Sequence, residues 1–77
     1  MKTKYKINIV FDSELYADPF FMKLICKCAK RYHSTGSIIH FKGEDPKLNC
    51  SIKDLSKISD IIDLFEDYDI KIEIYNL

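Results

Sequence analysis

Between residues 4 and 11 the side chains alternate, with Tyr5, Ile7, Ile9 and Phe11 on one face and Lys4, Lys6, Asn8 and Val10 on the other. A period of two is that of a half-buried strand. Residues 12–17 read as a loop, and Asp18-Pro19 reads as a helix start. Aspartate is a good N-cap, and proline is tolerated at the first helical position because the N–H it lacks has no intrahelical partner there. Phe21, Leu24, Ile25, Cys28, Ala29 and Tyr32 then recur at spacings of three and four, one apolar stripe of a helix that ends near His33, with Gly36 just beyond it. The β-branched stretch 37–42, the turn residues Gly43-Glu44-Asp45-Pro46 and the stretch 47–50 predict a hairpin. A second helical stripe runs through Ile52, Leu55, Ile58, Ile62 and Phe65, with Asn49 or Ser51 as N-cap and Asp54 three residues after Ser51, in the manner of a capping box. Asp67 to Asp69 breaks that helix. Ile70, Ile72 and Ile74, alternating with Lys71, Glu73 and Tyr75, predict a last strand.

The resulting order, βαββαβ, predicts an α/β fold of the α+β kind: a two-layer open-faced sandwich, with a four-stranded antiparallel sheet covered on one face by two helices. Residues 1–77 are too few for two cores, and no linker, repeat or low-complexity tract divides them, so one domain is expected. Hydrophobic residues at 47% and charged residues at 31% are ordinary for a folded domain.

Charge narrows the partners. Lys+Arg and Asp+Glu are equal at 12 each, which leaves no net positive field to hold nucleic acid or anionic lipid. The lysines at the start are followed by an apolar run that Asp12 and Glu14 soon interrupt, unlike a signal peptide, and no apolar run approaches the ~20 residues a membrane-spanning helix needs. An odd count of three cysteines argues against a disulfide framework and makes a reducing cytoplasm the expected setting.

Candidate chemistry is sparse. Cys26 and Cys28 lie two apart in a predicted helix, about 200° around its axis, so they point to opposite sides and do not share a metal ion. Cys28 is expected in the core, Cys26 partly exposed and Cys50 inward from a strand. His33, at a helix end, and His40, in a strand, have no local nucleophile or carboxylate arrangement; His33 suits the C-terminal end of a helix dipole. With only Gly36 and Gly43, no phosphate-binding glycine loop is present, and no cofactor or enzymatic activity is implied. Asp60, Asp63, Glu66, Asp67 and Asp69 form an acidic cluster around the end of the second helix. The helix starts at Tyr16–Pro19 and at Ser51 are natural anion sites, because free N–H groups and the dipole both favour negative charge.

Together the element order, an Xaa-Pro helix start after the first strand and an Asn-Xaa-Ser-Ile start to the second helix resemble HPr, the small phosphocarrier family of the bacterial sugar phosphotransferase system. That family's Gly-Leu-His-Ala-Arg-Pro-Ala signature falls on Glu14-Leu15-Tyr16-Ala17-Asp18-Pro19-Phe20, matching three of seven residues. Its Lys-Ser-Ile signature falls on Cys50-Ser51-Ile52. The resemblance implies that Tyr16 replaces the phosphate-accepting histidine and Asp18 the neutralising arginine, beside the retained Pro19. A phenol of pKa ~10 beside a carboxylate does not serve that relay, so phosphocarrier activity is expected to be lost. Ser51 matches the serine that is phosphorylated for regulation in many members. The family's third helix has no counterpart, and an open apolar sheet face is expected to dock a protein, either a phosphotransferase-system or transcriptional regulatory component or a second copy as a homodimer. The resemblance thus implies a non-catalytic, degenerate HPr-like module concerned with regulating sugar transport. The alternative is an unrelated small accessory or oligomerisation domain of ferredoxin-like topology. Sheet order separates the two: 1-4-2-3 for HPr and 4-1-3-2 for the ferredoxin-like arrangement.

Overall fold

A computed structural model describes residues 5–32 and 38–76, with no account of the Asn76 side chain. Strand β1 (Tyr5–Phe11) leads through a 3-10 turn (Ser13–Ala17) to helix α1 (Pro19–Arg31). Strands β2 (Ile38–Ile39) and β3 (Lys47–Ile52), helix α2 (Lys57–Leu64) and strand β4 (Ile70–Asn76) follow. The strands form one antiparallel sheet, with β1 flanked by β3 and β4 and with β2 on the far side of β3. The result is the two-layer α/β sandwich expected from the pattern.

The sheet order β2-β3-β1-β4, read from the other edge, is 4-1-3-2. That is the order of the ferredoxin-like alternative and not the 1-4-2-3 that the HPr resemblance implies. The physical reason lies in β1, whose Ile7 and Ile9 are both 0% exposed. So apolar a strand is most stable with a neighbour on each edge and a helix layer over its face. The two pairings run Tyr5↔Ile52 to Val10↔Lys47 and Tyr5↔Asn76 to Phe11↔Ile70.

Alternation along the strands divides the sheet into two faces. On the inner face Ile7, Ile9, Phe11, Leu48, Cys50 and Ile52 pack beneath the helices. On the outer face lie Lys6, Asn8, Lys47, Asn49, Ser51, Lys71, Glu73 and Tyr75, with Val10 directly between Lys47 and Lys71 in the register. Phe21 on α1 joins the layers, with its ring centroid 4.9 Å from Phe11, 5.4 Å from Phe65 and 5.0 Å from Tyr68.

Helix α1 follows its sequence pattern closely. Phe21, Ile25, Cys28, Ala29 and Tyr32 are buried, while Leu24 is partly so. Lys30 and Arg31 in its last turn complement the dipole. His33 and Gly36, expected at and beyond its end, lie outside the described residues. In the β2–β3 connection Gly43 sits at φ +83°, a left-handed position within the turn that the Glu44 N–H closes on the Phe41 carbonyl. Pro46 is buried, and its carbonyl accepts from the Phe11 N–H at 3.1 Å, linking that turn to the end of β1.

The second helix departs from its pattern. Ser51 and Ile52 belong to β3, continuing the alternation of Leu48 and Cys50, and α2 begins only at Lys57. The turn before it is organised by Asp54, whose side chain accepts from the Ser56 N–H at 3.0 Å and whose carbonyl accepts from the Lys57 N–H. Neither Asn49 nor Ser51 is therefore an N-cap. In α2 the buried residue is Ile61, followed by Phe65 at the C-cap, while Ile62 and, before the helix, Leu55 are exposed. The hairpin also differs: β2 is two residues long, and His40 lies outside it.

Candidate functional site

The Tyr16–Pro19 turn is the first of the two expected anion sites, and its geometry closes it. A helix start offers up to four unpaired N–H groups. Here Pro19 has none, the N–H groups of Phe20 and Phe21 donate to Asp18 Oδ1 at 2.9 and 3.1 Å, and the Met22 N–H donates to the Asp18 carbonyl at 3.0 Å. Asp18 therefore fills, with its own negative charge, the place an anion would take. It also faces Tyr68, whose phenol is pushed above its ordinary range by desolvation, then by the negative charge of Asp18.

Tyr16 stands beside this cap, 40% exposed. Its ring meets Phe11 edge-on at 5.6 Å and stacks on His40 at 5.8 Å, an approach that no sequence spacing signals. His40 is exposed and comes from the connection after β2.

Ser51, the second expected site, is half-buried on β3 and paired with Lys6. Its N–H donates to the Tyr32 carbonyl at 2.9 Å, tying β3 to the end of α1. Because β1 and β3 are antiparallel, Ser51 sits at the opposite end of the sheet from the Tyr16–Pro19 turn, a separation of roughly 17 Å over the five residues from Lys6 to Phe11. The two expected anion sites, Tyr16–Pro19 and Ser51, are thus apart.

Cys26 is exposed whereas Cys28 and Cys50 are buried, as the helical and strand patterns imply. Cys28 and Cys50 meet across the α1–β3 interface, where the hydrogen bond to Cys50 and then burial push the Cys28 thiol far above its usual range. Among the described residues no group of three His, Cys, Asp or Glu side chains is arranged to hold a metal ion. No helix among them is long and apolar enough to cross a membrane.

An apolar groove lies between β4 and α2. Strand β4 forms one edge of the sheet, and α2 stands over it without closing the layer. Between them runs a groove of about 440 Å³ whose apolar lining includes Ile58, Ile62, Phe65, Ile70, Ile72 and Ile74. Ile62 is 52% exposed and Ile74 50% exposed. Half-exposed isoleucines facing one another across a groove are a contiguous apolar patch rather than scattered surface residues.

The outer face of the same strand carries a polar side-chain network. Glu73 Oε1 accepts from Asn8 Nδ2 at 3.3 Å and from the Tyr75 hydroxyl at 3.1 Å, and lies 3.5 Å from Lys47 Nζ. Asn49 Nδ2 in turn donates to Asn8 Oδ1 at 2.9 Å. These bonds, led by that from Asn8, hold the Glu73 carboxyl below the usual glutamate range. The network crosses β3, β1 and β4, so it fixes the position of the edge strand from the side away from the core.

No protein-family model, curated protein or solved structure matches this chain.

Proposed function

We propose that this protein is a non-catalytic protein-binding module whose contact surface is the β4 edge together with the groove between β4 and α2. The observation that carries the reading is the pairing of Ile62 and Ile74, each about half exposed, across that groove. An exposed edge offers main-chain hydrogen bonds for an added strand, and an apolar groove beside it supplies specificity through alternate side chains.

Activity as a phosphocarrier or another enzyme is not part of the proposal. The helix cap at Asp18 leaves no amide free for phosphate, and Ser51 belongs to a strand rather than to a helix start. The ferredoxin-like sheet order favours an accessory or oligomerisation domain over a degenerate HPr. A cytoplasmic setting completes the reading and accords with three free thiols, two of them buried in the core.

The test is site-specific photo-crosslinking in cells. A photoreactive residue at position 74 should yield a protein adduct, whereas one at Lys27, exposed on α1, should not. Adducts from position 27 with none from position 74 would assign the contact surface elsewhere.

A further inference from the structure

We infer that the occupant of this surface is a second copy of the same chain, the two β4 strands pairing antiparallel about a two-fold axis at Ile72. This rests on the reading of the β4 edge as a contact surface and adds the partner and the register. The two edges of the sheet are unlike. At one edge β2 is two residues long, and the Tyr32 carbonyl accepts from the Ser51 N–H of the strand beside it. Short, covered edges resist pairing. At the other edge β4 runs seven residues, contains no proline, and pairs regularly with β1 along its whole length.

The sequence of β4 is complementary to itself in one register. With Ile72 opposite its own copy, Ile70 faces Ile74 and Lys71 faces Glu73, each pair occurring twice by symmetry. The inner face then joins isoleucines only, covering Ile74 and prolonging the groove under α2 of both copies. On the outer face both charged pairs are opposite in sign, the arrangement that favours directly facing cross-strand residues. A shift of the axis to Glu73 would set that carboxylate against its copy and is disfavoured.

The side chains are free for this use. Lys71 is exposed and has no ion pair among the described residues. Glu73 makes its bonds to Asn8 and Tyr75 and its ion pair with Lys47 through Oε1, which leaves Oε2 for a lysine arriving from beyond the edge.

Charge reversal tests the register. Sedimentation equilibrium should give a dimer for the wild type. Lys71→Glu alone and Glu73→Lys alone should each raise the dissociation constant roughly tenfold or more, because two attractive pairs become repulsive. Mixing those two variants should restore a dimer containing one of each, and the double variant Lys71→Glu/Glu73→Lys should dimerise by itself. Should Glu73→Lys unfold, as circular dichroism would show, Ile72→Cys in a Cys26→Ser background gives an independent reading, since the two introduced thiols would lie face to face on the axis and oxidise to an interchain disulfide.

A dimer indifferent to both reversals, or one in which Ile72→Cys gives no interchain crosslink, overturns the pairing. A wild type that stays monomeric at every concentration overturns the inference. In that case an adduct between position 74 and a different protein would leave the binding surface standing, and no adduct at all would remove both.

Discussion

Replacing Asp18 by alanine tests the closed helix start directly. The substitution removes Oδ1, which accepts from the Phe20 and Phe21 N–H groups at 2.9 and 3.1 Å, and leaves both amides to water. Loss of an N-cap costs about 1 kcal/mol, within a range of about 0.5–2. For a domain this small that corresponds to a fall in Tm of roughly 4–8 °C per kcal/mol. Asp18→Asn keeps a side-chain oxygen in place and loses only the charge, so its cost should be that of a charge near the dipole, about 0.3–1 kcal/mol. Urea denaturation followed by circular dichroism separates the two variants. Inorganic phosphate provides a second axis: the wild type should gain no stability from it, because its first-turn amides are taken. Phosphate stabilising the wild type would refute the reasoning, as would an Asp18→Ala loss below about 0.3 kcal/mol.

Other outcomes follow from the same contacts. Ile61→Ala, at the 0% exposed position of α2, should lower stability by about 2–5 kcal/mol in urea titrations, whereas Ile62→Ala, half exposed, should cost far less. Thiol titration of the native protein should find Cys26 reactive and Cys28 and Cys50 protected, with all three reacting in denaturant. Because the folded Glu73 carboxyl is held below its ordinary value of 4.5, its contribution is present above that pH and is lost as the pH falls through the lower folded value. Stability between about pH 7 and 3 should therefore depend less on pH in Glu73→Gln than in the wild type, measured as urea midpoints. Incubation with phosphoenolpyruvate and the phosphotransferase-system donor should leave Tyr16, His33 and His40 unlabelled.

Local patterns predict what local energetics decide. Strands β1 and β4 show uninterrupted alternation, and α1 combines an apolar stripe with Asp18-Pro19, where the cap and the first residue agree. The start of α2 is ambiguous in the sequence because Leu48, Cys50 and Ile52 satisfy a strand period while Ile52 and Leu55 also satisfy a helical one. The backbone of Ser51, donating to Tyr32, resolves this in favour of the strand. Within α2, Ile58-Ile62-Phe65 and Ile58-Ile61-Phe65 are equally good stripes; which isoleucine turns inward depends on how α2 packs over the sheet.

Sheet order does not follow from the succession of elements, since both 1-4-2-3 and 4-1-3-2 accommodate it. The site is legible only in part. Tyr16, Asp18, Pro19 and Ser51 stand out by type and position, but the commitment of Asp18 to its own helix requires atomic distances, and the placing of Ser51 on a strand requires the pairing of β3. The approach of His40 to Tyr16 joins residues far apart in the chain. The open β4 edge follows from the sheet order, yet the alternation of Lys71 and Glu73 between isoleucines, on which its self-pairing rests, is visible in the sequence.

Amide hydrogen exchange along β4, followed by NMR from dilute to concentrated protein, tests the central claim most directly. If the edge is the contact surface and its partner a second copy, the amides of Ile70, Ile72 and Ile74, those pointing away from β1, should slow as concentration rises, with the Ile62 and Ile74 methyl signals shifting in step. Exchange at β4 that stays fast at all concentrations, while amides elsewhere become protected, would contradict the account.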